Sequence, residues 1–499
     1  MDERPNILWY CTDAQRYDTI AALGNPHIRT PAMDRLCAEG VSFTRAYAQS
    51  TVCTPSRASF VTGRYCAAHG VYRNGASHFP GEEVLVTRLL ADGGYDCGLV
   101  GKLHIASSEF GEARYDDGYR VFHASNLPYT GEGADDTNAY LTWLRDEKGL
   151  DPQAVVPRYT IRDPGRSKVS QGDVIRPGPD EALRQTKWAN EMALRFVDEK
   201  REGPWLLSIN PYDPHPPYLP PEDFLAHYDP ATMAPPLFRD ADLERQTRFA
   251  NIRAQNTIAR NPLATAIPDP DGPAPADDGA FNGRLLKCGY YAMIEMVDRH
   301  LGELLDALEE RGVLDNTIVV FQSDHGDLLG DHGLVFKGAR FFDGVVRVPL
   351  IVRWPKAFPG GRSIAALAEL IDVAPTLLDS AGLEIPEAIQ GRSLLPVLRG
   401  QTEDTGKRAV VSEFLDSCNF SEGTDDRTRA VMSFDGRYKM VTFRGHDLGE
   451  LYDLEEDPGE FEDLWDKADC RDIKLAALER HVDALMGAIG SGPQRSTRY

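Results

Sequence analysis

The sequence predicts an α/β fold: a large, mostly parallel sheet with helices on both faces, plus a small C-terminal antiparallel sheet subdomain with one helix. Three observations carry this. Five short apolar runs, PNILWYC (5–11), YDCGLVG (95–101), PWLLSIN (204–210), NTIVVFQS (316–323) and VPLIVRW (348–354), are bounded by Gly, Pro, Asp or Asn. Compact apolar runs of that kind read as buried strands of a parallel sheet. Helical patterns alternate with them, as in doubly wound proteins. After about residue 400 the rhythm changes to short strand-like segments divided by turn residues.

In chain order, the first strand is followed by a helix over TPAMDRLCAEG (30–40), and a second helical run surrounds Val84–Leu90. The longest helical pattern runs from Leu285 to Leu308. Two stretches break the alternation. Residues 151–180 are rich in Pro, Gly and charge, and residues 230–283 contain APPLF and IPDPDGPAPADDG. Both read as surface excursions that rim a site or mediate contacts between chains, of the kind that supports a homo-oligomer. The α/β unit is expected to span 1–400 and an α+β subdomain 401–499. In the latter, RAVVSEF, RAVMSF, YKMVTF and ELYDL are strands, and Ile473–Ile489 is a helix.

The chain has 499 residues and a net charge of −23. That acidity argues against nucleic-acid partners, which need a basic face. An anionic ligand would therefore need a local basic pocket. No apolar run reaches the about 18 residues of a membrane span. The opening MDERPNILWYC enters a strand at once with no secretory signal, which predicts a cytoplasmic protein. The eight cysteines, at 11, 37, 53, 66, 97, 288, 418 and 470, form no CxxC pair. They read as reduced thiols.

Polar residues gather just past the predicted strands. Asp13 and Arg16 follow the first, Lys102 and His104 the second, His215 the third, and Asp324 and His325 the fourth. The carboxyl ends of parallel strands are where ligands bind in open α/β sheets. Asp13, Asp324 and His325 read as ligands for one divalent cation, Ca or Mn, with Mg and Zn as alternatives. Asp327, Asp331 and His332 read as turn and supporting residues. The block CTPSRASFVTGR (53–64) looks like a helix start, with Thr54 as cap, Pro55 in the first turn and Gly63 closing it. A helix start offers free amides and a positive dipole end to an anionic oxygen, and Arg57 adds a fixed charge.

That block resembles the signature of the sulfatases, members of the alkaline-phosphatase-like superfamily. TDAQR, GNPHIRTPAMDRLCAEGVSFTRAYAQS, GKLH, SDHGDLLGDHG and the C-terminal ELYDL segment extend the resemblance over most of the chain. It implies a sulfuric ester hydrolase of arylsulfatase type. In it, a maturation enzyme oxidises Cys53 to formylglycine. One hydroxyl of the hydrated aldehyde, held on the metal, attacks sulfur. The other then expels sulfate. By position, Lys102 and Lys337 would hold sulfate charge, and His215 would bind sulfate and protonate the leaving alcohol. His104 would act as base on the formylglycine hydroxyl, and an oxygen of residue 53 would join the metal ligands. Many sulfatases carry a second acid directly after the first; here that position is Ala14, so one carboxylate ligand is missing. Asn74, Tyr212 and Arg340 are expected to contact substrate, with Tyr218, Phe341 and His78 as further rim residues.

Two alternatives remain at this level. One is a phosphonate monoester or phosphodiester hydrolase of the same superfamily. Lys102 with His104 favours sulfate, and Ala14 points the other way. The other is an unmodified, non-catalytic anion-binding protein with Cys53 as a thiol. The expected substrate is a small-molecule sulfate ester, with aryl, choline, alkyl and sugar alcohols all open.

Overall fold

The structure is a computed structural model that describes residues 4–106, 117–128, 130–131, 137–156, 158–159, 175, 177–250, 252, 259–267, 279–415 and 428–490. At its centre is an 8-stranded sheet. In chain order its strands are β1 (Asn6–Thr12), β2 (Val41–Phe43), β3 (Asp96–Gly101), β4 (Tyr119–Ala124), β5 (Trp205–Asn210), β6 (Thr317–Ser323), β7 (Leu350–Arg353) and β8 (Arg362–Ile364). Their spatial order is β8-β2-β7-β6-β1-β5-β3-β4. From β4 to β6 neighbouring strands are parallel. β7 runs antiparallel to both β6 and β2, and β8 lies parallel to β2.

All five predicted runs form strands of this sheet, but β7 departs from the parallel direction. A run buried on both faces looks the same in either direction, so the pattern carried no sign. β2, β4 and β8 were not anticipated. β2 and β8 are three residues each, and β4 is only partly buried.

Alternation along the strands builds two cores. Leu8, Tyr10, Leu207, Ile209, Val319 and Phe321 face one side. Ile7, Trp9, Leu206, Ile318 and Val320 face the other. Six helices supply most of the cover: α1 (Pro31–Glu39), α2 (Cys53–Thr62), α3 (Val86–Asp92), α4 (Gln185–Asp198), α5 (Gly283–Glu310) and α6 (Val373–Ser380). α1, α4 and α5 cover the first side, and α2, α3 and α6 the second. Each fully buried aliphatic side chain contributes about 1.5–3 kcal/mol, so the sheet centre is the most strongly held part of the molecule.

The C-terminal segment forms β9 (Val410–Leu415), β10 (Arg429–Phe434), β11 (Tyr438–Phe443) and β12 (Gly449–Asp453), an antiparallel sheet in that order, with α7 (Arg471–Ala488) against it. Its Phe414, Met432 and Phe434 share a core with Tyr47, Val52 and Phe341. Buried Lys439 fastens the junction, donating to Glu460 Oε1 at 2.8 Å and to Asp343 Oδ1 at 2.5 Å. Most of 151–180 lies outside the described residues. The described part of 230–283 contains a short helix, Ala241–Thr247, that the sequence pattern did not reveal. No helix among the described residues is long and apolar enough to cross a membrane.

One glycine fixes the geometry at the sheet edge facing the site. Gly101 ends β3 at φ +104°, and a Cβ there would lie 2.1 Å from the Asn210 carbonyl oxygen. The close approach lets the Lys102 amide donate to that carbonyl at 2.8 Å.

Candidate active site

Asp324–His325 follow β6, Asp13 follows its neighbour β1, and Lys102 follows β3, one strand further on beyond β5, so three parallel strands release polar side chains at one rim. His215 lies in the turn after β5. Against this rim stands the first turn of α2. Cys53 Sγ is 3.2 Å from His325 Nε2 and 3.7 Å from Asp13 Oδ1. Lys337 Nζ lies 3.0 Å from the same sulfur, 2.7 Å from His215 Nε2 and 3.2 Å from His325 Nε2. Lys102 Nζ donates to Asp13 Oδ2.

α2 begins two residues earlier than a Thr54 cap would place it. Val52 takes the N-cap place and has no side-chain acceptor. Thr54 is therefore inside the helix and is not its cap. The acceptor comes from Asn74, whose Oδ1 receives the Thr54 amide at 2.8 Å, while Thr54 Oγ1 turns to His104 Nε2 at 3.3 Å. Gly63 closes the helix as expected, at φ +69°.

Arg57, one turn into α2 and buried, binds the carboxylates. Its Nε donates to Asp324 Oδ2 at 2.8 Å and its Nη1 to the Lys102 carbonyl at 2.7 Å. Its Nη2 lies 3.6 Å from Asp13 Oδ2. Ser56 Oγ donates to the Asp324 carbonyl at 2.5 Å. Asp324 Oδ1 accepts the amides of Ala14 at 3.0 Å and His325 at 2.9 Å. Ser56 and Thr54 were quoted within the CTPSR block but not read as positioning groups. Hydroxyls one and three residues from a candidate nucleophile are the signal that would have found them.

Burial raises the Asp13 carboxyl, and the Cys53 sulfur adds to it; Lys102, His215 and Arg57 outweigh both and hold it below the usual carboxylate range. Burial likewise pushes the Cys53 thiol up, but Lys102, Lys337 and His325 overcome that and leave it well below an ordinary thiol. A structural thiol in an apolar core shows the reverse, as Cys11 does, pushed up to about 12 mainly by burial. Burial and the neighbouring Lys337 hold His215 below its ordinary value. Burial also depresses His325, but Asp324 more than compensates and raises it. Lys102, Lys337 and Arg57 face Asp13, Asp324 and residue 53; when residue 53 carries no charge of its own, three cations against two carboxylates leave one positive charge over. The basic pocket that the acidic chain needed is present.

The ligand atoms of Asp13, Cys53, Asp324 and His325 lie within 4.8 Å of one another, and all four residues are buried. His325 Nδ1 meets the Gly326 carbonyl at 2.8 Å. That contact places a proton on Nδ1 and leaves the Nε2 lone pair facing the cluster when the ring is neutral. Two carboxylates, an imidazole and an atom of residue 53 fit a divalent cation. The group Glu181, His300 and Glu303 is different. Each carboxylate there also pairs with a cation, Glu181 with Arg299 at 3.0 Å and Glu303 with Lys187 at 3.5 Å, which makes an ion-pair network.

The Tyr212 ring lies 5.2 Å from Lys102 Nζ and 4.6 Å from the His215 ring, so Tyr212 backs both. Arg340 is not brought into this set. Its guanidinium is buried, 3.6 Å over Phe249, and donates to Gln246 Oε1 at 2.9 Å. Burial pushes it down to about 10. Tyr218 and Phe341, expected at the rim, are core residues, whereas His78 is exposed. Asp331 pairs with Arg16 at 2.8 Å, and His332 stacks on Phe342 with ring centres 3.9 Å apart. The pairing ties the loop after β1 to the loop after β6.

The sulfatase profile matches residues 5–383, and the profile for the N-sulphoglucosamine sulphohydrolase C-terminal region matches 330–486. An arylsulfatase of Clostridium perfringens is 28% identical over 92% of this chain and 90% of its own length. A multifunctional alkaline phosphatase superfamily protein of Trinickia caryophylli is 28% identical over 99% of both chains. The crystal structure of a phosphonate monoester hydrolase of Agrobacterium radiobacter superposes with a TM-score of 0.78 at 26% identity, covering 98% of this chain and 96% of the other.

Proposed function

This chain belongs to the sulfatase family and is a sulfuric ester hydrolase, and from that premise we propose that it cleaves sulfate monoesters with residue 53 as formylglycine beside a divalent cation. The observation that carries this reading is the setting of Cys53. It is a buried residue at the start of a buried helix, touched by Lys337 and His325 and adjoining Asp13. No packing need explains so polar a shell around a thiol.

Asp13, Asp324, His325 and the residue-53 side chain would hold the ion, which supplies Lewis-acid charge for an oxygen nucleophile near neutral pH. A formylglycine at residue 53, made by a maturation enzyme, would supply that oxygen and a second hydroxyl once hydrated. The remaining work belongs to the chain's own side chains. Lys102 and Lys337 flank residue 53 and hold the non-bridging oxygens, where preorganised cations stabilise the transition state without reorganisation. Lys337 donates to His215 Nε2 in the resting site, and His215 Nδ1 meets the Pro216 carbonyl at 2.6 Å. The ring is thereby oriented with Nε2 toward the reaction. An anion arriving beside it raises its proton affinity, which equips it to protonate the leaving oxygen. His104, across from the first turn of α2, serves as base on the residue-53 hydroxyl. Arg57 acts on none of the reacting atoms; it fixes the two carboxylates. We place the enzyme in the cytoplasm, where its scattered cysteines would stay reduced, with a small sulfate ester as substrate.

A second reading is supported by the phosphonate hydrolase likeness and by the missing acid at Ala14: hydrolysis of phosphonate monoesters or phosphodiesters in the same site. Two measurements decide. Peptide mass at residue 53, after co-expression with a maturation enzyme, is expected to show formylglycine. Matched aryl sulfate, phosphodiester and phosphonate substrates are expected to rank with sulfate first, and Cys53→Ala is expected to abolish turnover while keeping the fold. Full activity of Cys53→Ala overturns the nucleophile, and a wide preference for phosphorus substrates overturns the substrate.

A further inference from the structure

Three consecutive side chains at the start of α4 grip the turn that carries His215. The Arg184 guanidinium spreads its two arms across the turn: Nη2 donates to Asp213 Oδ1, and Nη1 to the Leu219 carbonyl at 2.8 Å. Gln185 Oε1 accepts the Tyr212 amide at 2.8 Å, and its Nε2 donates to the Ser125 carbonyl, just past β4, at 3.1 Å. Thr186 Oγ1 donates to Asp213 Oδ2 at 2.5 Å. Gln185, Thr186 and Asp213 are buried, and the Arg184 side chain is 11% exposed. The grips therefore fall at 212, 213 and 219, on both sides of His215. Between them the turn closes on itself. The His215 amide donates to the Tyr212 carbonyl at 3.0 Å, and Tyr212 Oη donates at 3.1 Å to the Pro216 carbonyl, which His215 Nδ1 also meets.

We propose that Arg184, with Gln185 and Thr186, positions His215 to protonate the leaving oxygen. This rests on the sulfate-ester reading above, in which His215 is the acid; all three residues act through the turn, not on the substrate. As the bond from sulfur to the bridging oxygen breaks, its electron pair stays on that oxygen, which takes the Nε2 proton. The alcohol departs and the ring is left neutral. Stability does not account for the arrangement. A buried ion pair and buried hydrogen bonds largely replace the solvation they give up, so their net yield is small. What they fix well is geometry. A forked guanidinium on two acceptors, one on each side of His215, holds the shape of the turn as a single ammonium cannot. Of the contacts made by the His215 ring, those with Tyr212 and Pro216 come from the turn itself, so where the turn sits decides where Nε2 lies. Nε2 must come within hydrogen-bond reach of the leaving oxygen, and a misplacement of about 1 Å costs on the order of a hundredfold.

The test is kcat/KM of matured full-length protein on 4-nitrophenyl, 4-chlorophenyl and phenyl sulfate, a series of rising leaving-group basicity, normalised to formylglycine at residue 53. Because the Asp213 carbonyl also accepts the Asp13 amide at 3.5 Å, metal content is measured on each sample. His215→Ala is expected to lose about a hundredfold more on the phenyl than on the nitrophenyl ester. Arg184→Lys keeps a charge beside Asp213 but has no second arm; it is expected to show the same trend at about tenfold, with metal unchanged. Thr186→Val removes one donor only, should follow the same trend, and decides the matter where Arg184→Lys does not fold. In the His215→Ala background each substitution is expected to cost less than about twofold, because no proton donor is left to position. An equal loss on every ester, wild-type kinetics in both variants, an undiminished cost in the His215→Ala background, or loss of metal overturns the inference and leaves the reading of the site standing. A His215→Ala loss that is the same on every ester overturns the role of His215 in that reading, and the inference with it.

Discussion

Replacing Lys102 with Ala isolates the charge that the site offers to an anionic substrate. Lys102 is 2% exposed, and its ammonium is held by Asp13 and backed by the Tyr212 ring, so it is already positioned before substrate arrives. A unit charge about 4 Å from a sulfuryl oxygen, at an effective dielectric constant near 20, is worth about 4 kcal/mol. Part of that attraction is present with bound substrate and does not lower the barrier. About 3 kcal/mol should therefore be lost from the transition state, roughly a hundredfold in kcat/KM. The assay is kcat/KM for an aryl sulfate on matured protein, with metal content measured on the same sample. Arg57 still holds both carboxylates in the variant, so metal content is expected to stay near that of wild type. A variant within fivefold of wild type would refute the argument. A variant that loses metal along with activity would refute it too, since Lys102 would then act by holding Asp13.

Other expectations follow from the same contacts. Asp324→Asn removes one charge from the cluster and weakens the Arg57 clamp; metal by elemental analysis and turnover should fall together, and wild-type turnover would exclude Asp324 as a ligand. His481 is held down to about 4 by burial, against 6.5 ordinarily. The unfolded chain therefore binds the proton first, and this contribution to stability is complete above pH 6.5 and lost as pH falls toward 4. Unfolding free energies of wild type and His481→Gln from urea titrations should converge by about 2–3 kcal/mol between pH 7 and 4.5, and a constant difference would contradict the shift. Gly101→Ala must accommodate both a positive φ and a Cβ 2.1 Å from the Asn210 oxygen. It should lower Tm markedly and reduce activity through Lys102; a wild-type melt would show that the β3 edge yields.

The sequence carried the sheet because buried strands here are compact apolar runs with punctuation at both ends, and it carried the site because each strand ends directly on a polar residue. It could not carry the direction of β7, which is set by pairing with β6 and β2 and not by composition. β2 and β8 are too short for any pattern to emerge. The rim failed for a related reason. Arg340, Tyr218 and Phe341 were expected at the rim and lie close in sequence to site residues, yet long side chains can turn inward. Arg340 does so because Phe249 and Gln246 offer it a stacking face and an acceptor. Asn74 is the converse case: a turn residue in the sequence, it caps α2 across twenty positions. Such a contact exists only once the chain is folded.

Ala14 shows how the local charge balance is set. Its φ of +65° is a left-handed conformation, and the backbone of the turn is bonded on both sides. Its amide donates to Asp324 Oδ1 at 3.0 Å, and its carbonyl accepts from Tyr290 Oη at 2.6 Å. Those two bonds need no carboxylate. A third acid at this position would cancel the single positive charge left by Lys102, Lys337 and Arg57 against Asp13 and Asp324. Without it, the side chains alone keep an excess cation within a chain whose overall charge repels anions. The attraction is confined to the strand ends, where the low dielectric strengthens it, and it does not depend on the bound ion. The same balance suits any tetrahedral monoanion. Discrimination between sulfur and phosphorus must therefore come from where Lys102, Lys337 and His215 meet the oxygens, not from net charge.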